Sequence, residues 1–317
     1  MKSIENSPFL ASMSLIQPIV LLAGLILVVL VAIYCYARTY FPTYVELKTV
    51  IDCIVGNNKD YMNFGYWDEG TETLSESNEK MCRKLAVMGG LSEARRILDV
   101  GFGLGEQLTV WRDVNHDKDN LEILGVDIEP AHIQAGETLI QGGSLGKKIS
   151  FKQGDACDLP AEDEKFDRVI SLESAFHYSP RNKFFDEAYR VLEPGGKLVI
   201  ADIVRNGDSG ILGWLPNLVA CDFMGAPTCN SENVGEWLDQ LRSLGFEVEW
   251  EDVTDKTLVP YLNNFALTFA PGNPMLKWVG CLSVSIWSYI CANVRPFNYI
   301  LAVCTKPEAQ NKKMPPV

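Results

Sequence analysis

Residues 96–107 read RILDVGFGLGEQ. The first five have the apolar character of a buried strand, and three glycines then follow at alternate positions, Gly101, Gly103 and Gly105, before residues that open a helix. A turn without side chains at the carboxyl end of a strand lets a ligand approach the main chain, with the amides of the helix start facing it. The dinucleotide fingerprint is GxGxxG, with the helix dipole held on a pyrophosphate. Here the pattern is GxGxG, preceded by Asp99, an acid that repels a pyrophosphate. The turn therefore suits a cationic ligand without phosphate.

Outward from this turn the chain alternates strand and helix. Strands are expected at 96–100, 122–127, 149–153, 167–172, 197–203, 246–252 and 298–304, and helices at 105–114, 130–141, 181–191 and 231–244. For the last helix Ser231 is the expected N-cap and Gly245 the stop. Apolar strands separated by helices imply an α/β fold, a doubly wound, mostly parallel seven-stranded sheet that binds ligands at the carboxyl ends of its strands. Two further acids stand at such ends. Asp127 in LGVDIEP can accept both hydroxyls of a ribose, and Asp155 in QGDACDLP can take the exocyclic amine of an adenine. Either alone is better explained as a cap or a solvated loop residue. Three acids at successive strand ends point to one site.

With these motifs in order over about residues 95–205, the chain resembles the class I S-adenosylmethionine-dependent methyltransferases, which have a Rossmann-like fold. ILDVGFGLGEQ looks like their first motif, LGVDIEP like the ribose segment, GDACDLP like the adenine segment, FDRVISLESAFHY like the fourth strand and its loop, and VLEPGGKLVIADIV like the fifth strand with its turn. The resemblance implies that Asp99, Gly101, Gly103 and Gly105 hold the methionine part of S-adenosylmethionine. Asp127 would hold the ribose and Asp155 with the amide of Ala156 the adenine, and Ile128 is a further cofactor-binding candidate. YMNFGYWDEG at 61–70 is similar to the segment found ahead of the fold in the small-molecule branch, including groups acting on sterols, tocopherols, quinones and glycosides. Tyr61, Tyr66 and Trp67 there either close over the cofactor or pack a helix against the sheet. The loop after the fourth strand faces the transferring methyl in this family, which makes Glu173, His177 and Tyr178 the catalytic candidates. His177 has the intrinsic titration range for proton removal near neutral pH.

The rest of the chain bears on the acceptor and on location. With 317 residues, 47% of them hydrophobic, one large domain with a full core is expected, and a net charge of -13 excludes a nucleic-acid backbone as partner. The nine cysteines form no CxxC pair and no Cys/His cluster, so no metal is expected and the thiols suit a cytosol-facing domain. Residues 15–37, LIQPIVLLAGLILVVLVAIYCYA, carry no charge. At about 1.5 Å per residue they span a hydrocarbon layer of about 30 Å. A cleaved signal peptide is the alternative, but the run exceeds a signal h-region and is followed by an aromatic belt. The expected organisation is an N-terminal transmembrane anchor at 1–37, a covering segment at 38–90, the methyltransferase domain at 91–306 with cap insertions at about 206–230 and 254–297, and a flexible tail at 307–317. A single-pass protein of a membrane such as the endoplasmic reticulum follows. The second insertion holds 17 uncharged residues between Lys277 and Arg295, an apolar roof that favours a lipophilic small-molecule substrate such as a sterol, isoprenoid quinone or phenol. Competing readings are a methyltransferase of amines, phospho-bases or other polar acceptors, a nicotinamide oxidoreductase, and a cofactor-binding protein without turnover.

Overall fold

The order of the strands follows from which segments are apolar on both faces. In the computed structural model, residues 61–143, 148–207, 226, 227, 229–268, 285 and 288–308 are described, all within the second of the chain's two units, Ile54–Val317. Seven strands, β1 Arg96–Val100, β2 Glu122–Asp127, β3 Ile149–Gln153, β4 Phe166–Leu172, β5 Leu192–Arg205, β6 Glu247–Asp252 and β7 Phe297–Thr305, form one sheet in the order β3-β2-β1-β4-β5-β7-β6. The pairs from β3 to β5 are parallel, whereas β7 runs antiparallel to both β5 and β6. The sheet is thus mixed, and its order reverses between β1 and β4. In open α/β sheets a crevice opens at that switch point.

Among the described residues six α-helices flank the sheet: α1 Leu74–Gly89, α2 Glu106–Val114, α3 Pro130–Gln141, α4 Arg181–Val191, α5 Val234–Ser243 and α6 Leu258–Thr268. On one face α1 and α2 bring Met81, Leu85 and Trp111 against Ile97, Ile123 and Leu301. On the other, α4 and α5 bring Phe184, Phe185, Trp237 and Leu241 against Leu98, Val169 and Ile300. Alternate residues of β1 therefore enter opposite cores, as the period of two requires. Between β2, β3 and α3 the packing is unusually close. The Phe151 ring fills the space where Gly125 or Gly136 would carry a side chain, with its atoms 2.7 Å and 2.6 Å from a Cβ at those positions, and it rests on Phe102 at 4.9 Å.

Two boundaries differ from expectation for identifiable reasons. The N-cap of α5 is Asn233, not Ser231, because Asn233 has a glutamate three residues on. Its side chain accepts from the Glu236 amide at 3.1 Å while the Glu236 carboxylate accepts from the Asn233 amide at 2.9 Å, a reciprocal capping box that Ser231 cannot form. Strand β5 starts at Leu192, ahead of the expected Lys197. Leu192 pairs with Phe166, the Pro194-Gly195-Gly196 turn bulges out, and pairing resumes at Lys197 with Arg168. Gly245, expected as a stop, follows the Leu244 C-cap at φ +100. Among the described residues no helix is long and apolar enough to cross a membrane. The expected anchor at 15–37, much of both cap insertions and the tail beyond Glu308 lie outside them.

Candidate active site

The glycine turn lies at the reversal of the sheet, and its three glycines are required by conformation and by neighbours at once. Gly101, Gly103 and Gly105 have φ of +72, +59 and +92, a region in which an L side chain is strained. A Cβ on Gly101 would lie 1.8 Å from Ser174 Oγ and 2.6 Å from the Tyr178 hydroxyl, both from the loop after β4. One on Gly103 would lie 2.7 Å from Met62 Sδ. Gly105 is the N-cap of α2. The turn is thus gripped between the strand-end loop and the segment 61–67, which leaves the main chain as its reactive surface.

The three acids fall in different environments. Asp99 is fully buried, and its Oδ2 accepts from the Trp111 indole at 2.7 Å. Burial lifts its carboxyl to about 7 against the pull of that hydrogen bond. That bond ties the end of β1 to α2. Asp127 is 7% exposed at the end of β2. Its Oδ2 accepts from the Gly103 amide and its Oδ1 from the Glu129 amide, each at 3.0 Å. Asp155 is exposed and accepts from the Cys157 amide at 2.8 Å, with Ala156 buried beside it. Ile128, next to Asp127, is 65% exposed, an apolar side chain outside the core.

His132, in the first turn of α3, did not emerge from sequence reasoning, where it was one histidine of three with no motif around it. The structure buries it with Nδ1 3.0 Å from Asp127 Oδ1, out of hydrogen-bond alignment, and neither ring nitrogen has a hydrogen-bond partner among the described residues. An acid and an imidazole with unspent polar capacity at a strand end fit a diol. Together with the bare turn they match the ribose and methionine parts of S-adenosylmethionine.

The segment 61–67 forms a strap against this turn. Asn78 Nδ2 donates to Asn63 Oδ1 at 3.0 Å, the Tyr66 amide to Ser77 O at 2.8 Å and the Trp67 amide to Lys256 O at 2.7 Å. Gly65 is required because a Cβ would lie 2.2 Å from Ser77 Oγ. The structure places the two tyrosines of this segment differently. Tyr61 is buried in the core with Met81 and Leu85, while the Tyr66 hydroxyl accepts from the Lys256 ammonium at 2.9 Å and its ring lies 5.0 Å from the Lys84 ammonium. The strap residue that meets the turn is Met62, which no sequence signal marks.

The catalytic candidates separate in the same way. The Tyr178 hydroxyl donates to Val100 O at 3.0 Å, and burial pushes its phenol far above the ordinary range. Tyr178 therefore ties the loop to the end of β1. Glu173 has φ +51, is 8% exposed, and its Oε1 accepts from the Phe64 amide at 2.7 Å and from the Tyr299 hydroxyl. His177 closes the short turn Ala175–His177, half-buried, with its ring on Phe176 at a centroid distance of 4.1 Å. Asn230 holds this loop in place by donating to Phe176 O at 3.1 Å and Tyr178 O at 2.6 Å. Behind it, buried Arg181 pairs with Asp202 and Glu232, each at 2.8 Å.

Comparison with known proteins agrees with this geometry. A family model described as a methyltransferase domain matches residues 98–200. Erythromycin 3''-O-methyltransferase of Saccharopolyspora erythraea is 38% identical over 209 residues, 64% of this chain and 67% of that protein. The chloroplastic tocopherol O-methyltransferase of Arabidopsis thaliana is 30% identical over 176 residues, 50% of this chain and 49% of that one. Geranyl diphosphate methyltransferase, solved in complex with SAM, superposes with a TM-score of 0.60 at 17% identity over 78% of this chain and 98% of that chain, a likeness of fold. A bare glycine turn at the switch point of the sheet, an acid at the next strand end and a relative matched over two thirds of its length leave one assignment: the chain belongs to the class I S-adenosylmethionine-dependent methyltransferases, enzymes that methylate small molecules.

Proposed function

We propose that this enzyme transfers the methyl group of S-adenosylmethionine to a hydroxyl of a lipophilic small molecule presented at a membrane. The observation that carries the oxygen acceptor is the similarity to the two O-methyltransferases above. The lipophilic character is supported by the 17 uncharged residues between Lys277 and Arg295, and the membrane by the uncharged run at 15–37. When bound, S-adenosylmethionine supplies a methyl group on a sulfonium, activated for displacement by an oxygen nucleophile.

The chain's own residues then divide the work. The main chain of the glycine turn and the unspent acceptors of Asp127 and His132 hold the methionine and ribose parts, with Ile128 against the adenine and Asp155 at its amine. His177 takes the proton of the acceptor hydroxyl, and the loop it stands on is fixed by Asn230 and Tyr178. Holding acceptor and methyl group in line supplies much of the rate, so little further acid-base machinery is required.

The test is turnover of methyl-labelled S-adenosylmethionine by the full chain in detergent, with a panel of hydroxylated isoprenoids and phenols beside a panel of amines and phospho-bases. Label in methyl ethers of the apolar panel is expected, and label confined to the polar panel overturns the reading. For the anchor, the full chain should resist alkaline extraction from membranes. Its release into the supernatant removes the membrane part of the proposal.

A further inference from the structure

The carboxylate of Glu173 is committed in a way that suits no proton acceptor. Its backbone sits in the left-handed region at φ +51, its amide donates to Ala201 O of β5 at 2.9 Å, and its Oε1 receives both the Phe64 amide and the Tyr299 hydroxyl. A residue other than glycine persists in that conformation where its surroundings over-determine it, and such residues gather at functional sites. Three parts of the chain meet here: the strap at Phe64, the loop after β4, and β7 at Tyr299. Burial and the facing carboxylate both push the Tyr299 phenol upward, so it keeps its proton and stays a donor. Asn63 and Tyr66 tie the strap to α1, and Trp67 ties it to Lys256. Phe64 ties it to the strand-end loop, two residues from the Met62 thioether that covers Gly103.

We propose that Glu173 is a positioning residue: with Tyr299 it latches the 61–67 strap over the glycine turn and so sets cofactor affinity, leaving proton removal from the acceptor to another group. The inference rests on the methyltransferase activity and not on the identity of the acceptor. Because both donors converge on one oxygen, an amide oxygen at the same place can replace it. A general base, by contrast, is lost equally in glutamine and alanine.

The experiment is calorimetry of the full chain with S-adenosylmethionine and with S-adenosylhomocysteine, paired with chymotrypsin cleavage in the strap. Glu173→Gln should bind both within about 3-fold of the parent chain, whereas Glu173→Ala and Tyr299→Phe should each weaken binding by about 10-fold or more, the scale of a lost hydrogen bond to a charged group. The two weakened variants should be cut faster at Phe64 or Tyr66, and added cofactor should protect them less. Tyr299→Phe removes one hydroxyl and keeps the ring, so the proposal stays testable if Glu173→Ala fails to fold. Two results overturn it: parent-like affinity in Tyr299→Phe and in whichever Glu173 variants fold, or an equal loss of affinity in Glu173→Gln and Glu173→Ala.

Discussion

The carboxyl ends of β1, β2 and β3 and the loop after β4 lie at the same edge of the sheet, but they are built on opposite principles. The first region works through the main chain and through acids at strand ends, with its parts spread over about sixty residues of continuous βα units. The second is assembled from distant pieces: Glu173 meets Phe64 and Tyr299, 109 and 126 residues away in sequence, and Arg181 meets Glu232 across 51 residues. The first region is shaped to receive a ligand that every family member shares, so its chemistry is local. The second has to hold a loop and a strap in one position relative to each other, which only long-range contacts achieve.

The comparison breaks first if the bare turn tolerates a side chain. Gly103→Val should abolish cofactor binding, because its φ of +59 is strained for valine and Met62 Sδ already stands 2.7 Å from a Cβ there. A loss beyond about 10²-fold is expected by calorimetry. On the acceptor side, His177→Ala should lower turnover by about 10²-fold while the cofactor's Kd stays near that of the parent enzyme. Equal turnover would move proton removal away from this loop. Asp127→Ala should weaken cofactor binding by about 10-fold to 100-fold, the scale of charge-assisted hydrogen bonds to a diol. An unchanged Kd would leave Asp127 as a brace of Gly103 alone.

The last effect concerns stability. Asp99 titrates at about 7 in the folded chain, above its ordinary value of 3.8, so the native state holds this proton more tightly than the unfolded chain does. Its contribution is fully present below about pH 4 and is lost as pH rises through about 7, with a slope approaching about 1.4 kcal/mol per pH unit in that window. Urea unfolding of the parent and of Asp99→Asn at pH 5 and pH 8 measures it. The parent should lose stability relative to the variant at the higher pH. Parallel behaviour would mean that Asp99 is ionised in the folded chain, and the contrast between a buried acid and an exposed ligand acid would fail.

How much of this could be read beforehand varies residue by residue. The strands were placed within a few residues because apolar runs bounded by turns leave little freedom, except where the Pro194-Gly195-Gly196 bulge let β5 begin early. The antiparallel pairing of β7 with β6 follows from the sheet order and not from any local property of FNYILAVCT. Tyr178 carries the residue type of a catalyst, but a phenol donating to Val100 O has no distinguishing sequence mark. His132 and Met62 were missed for the opposite reason: ordinary residues acquire a role from what lies next to them.

The sequence by itself determined the α/β alternation, the bare turn and the acids beyond it, because backbone conformation and strand-end geometry are decided within a few residues of each glycine and acid. Tertiary structure alone decided which side chains face a ligand and which hold the frame. Asp99, Asp127 and Asp155 look alike along the chain, yet one is sealed under Trp111, one bridges Gly103 and Glu129, and one stands exposed. Burial and hydrogen-bond partners set what a carboxylate can do, and both are properties of the packed molecule rather than of the residue.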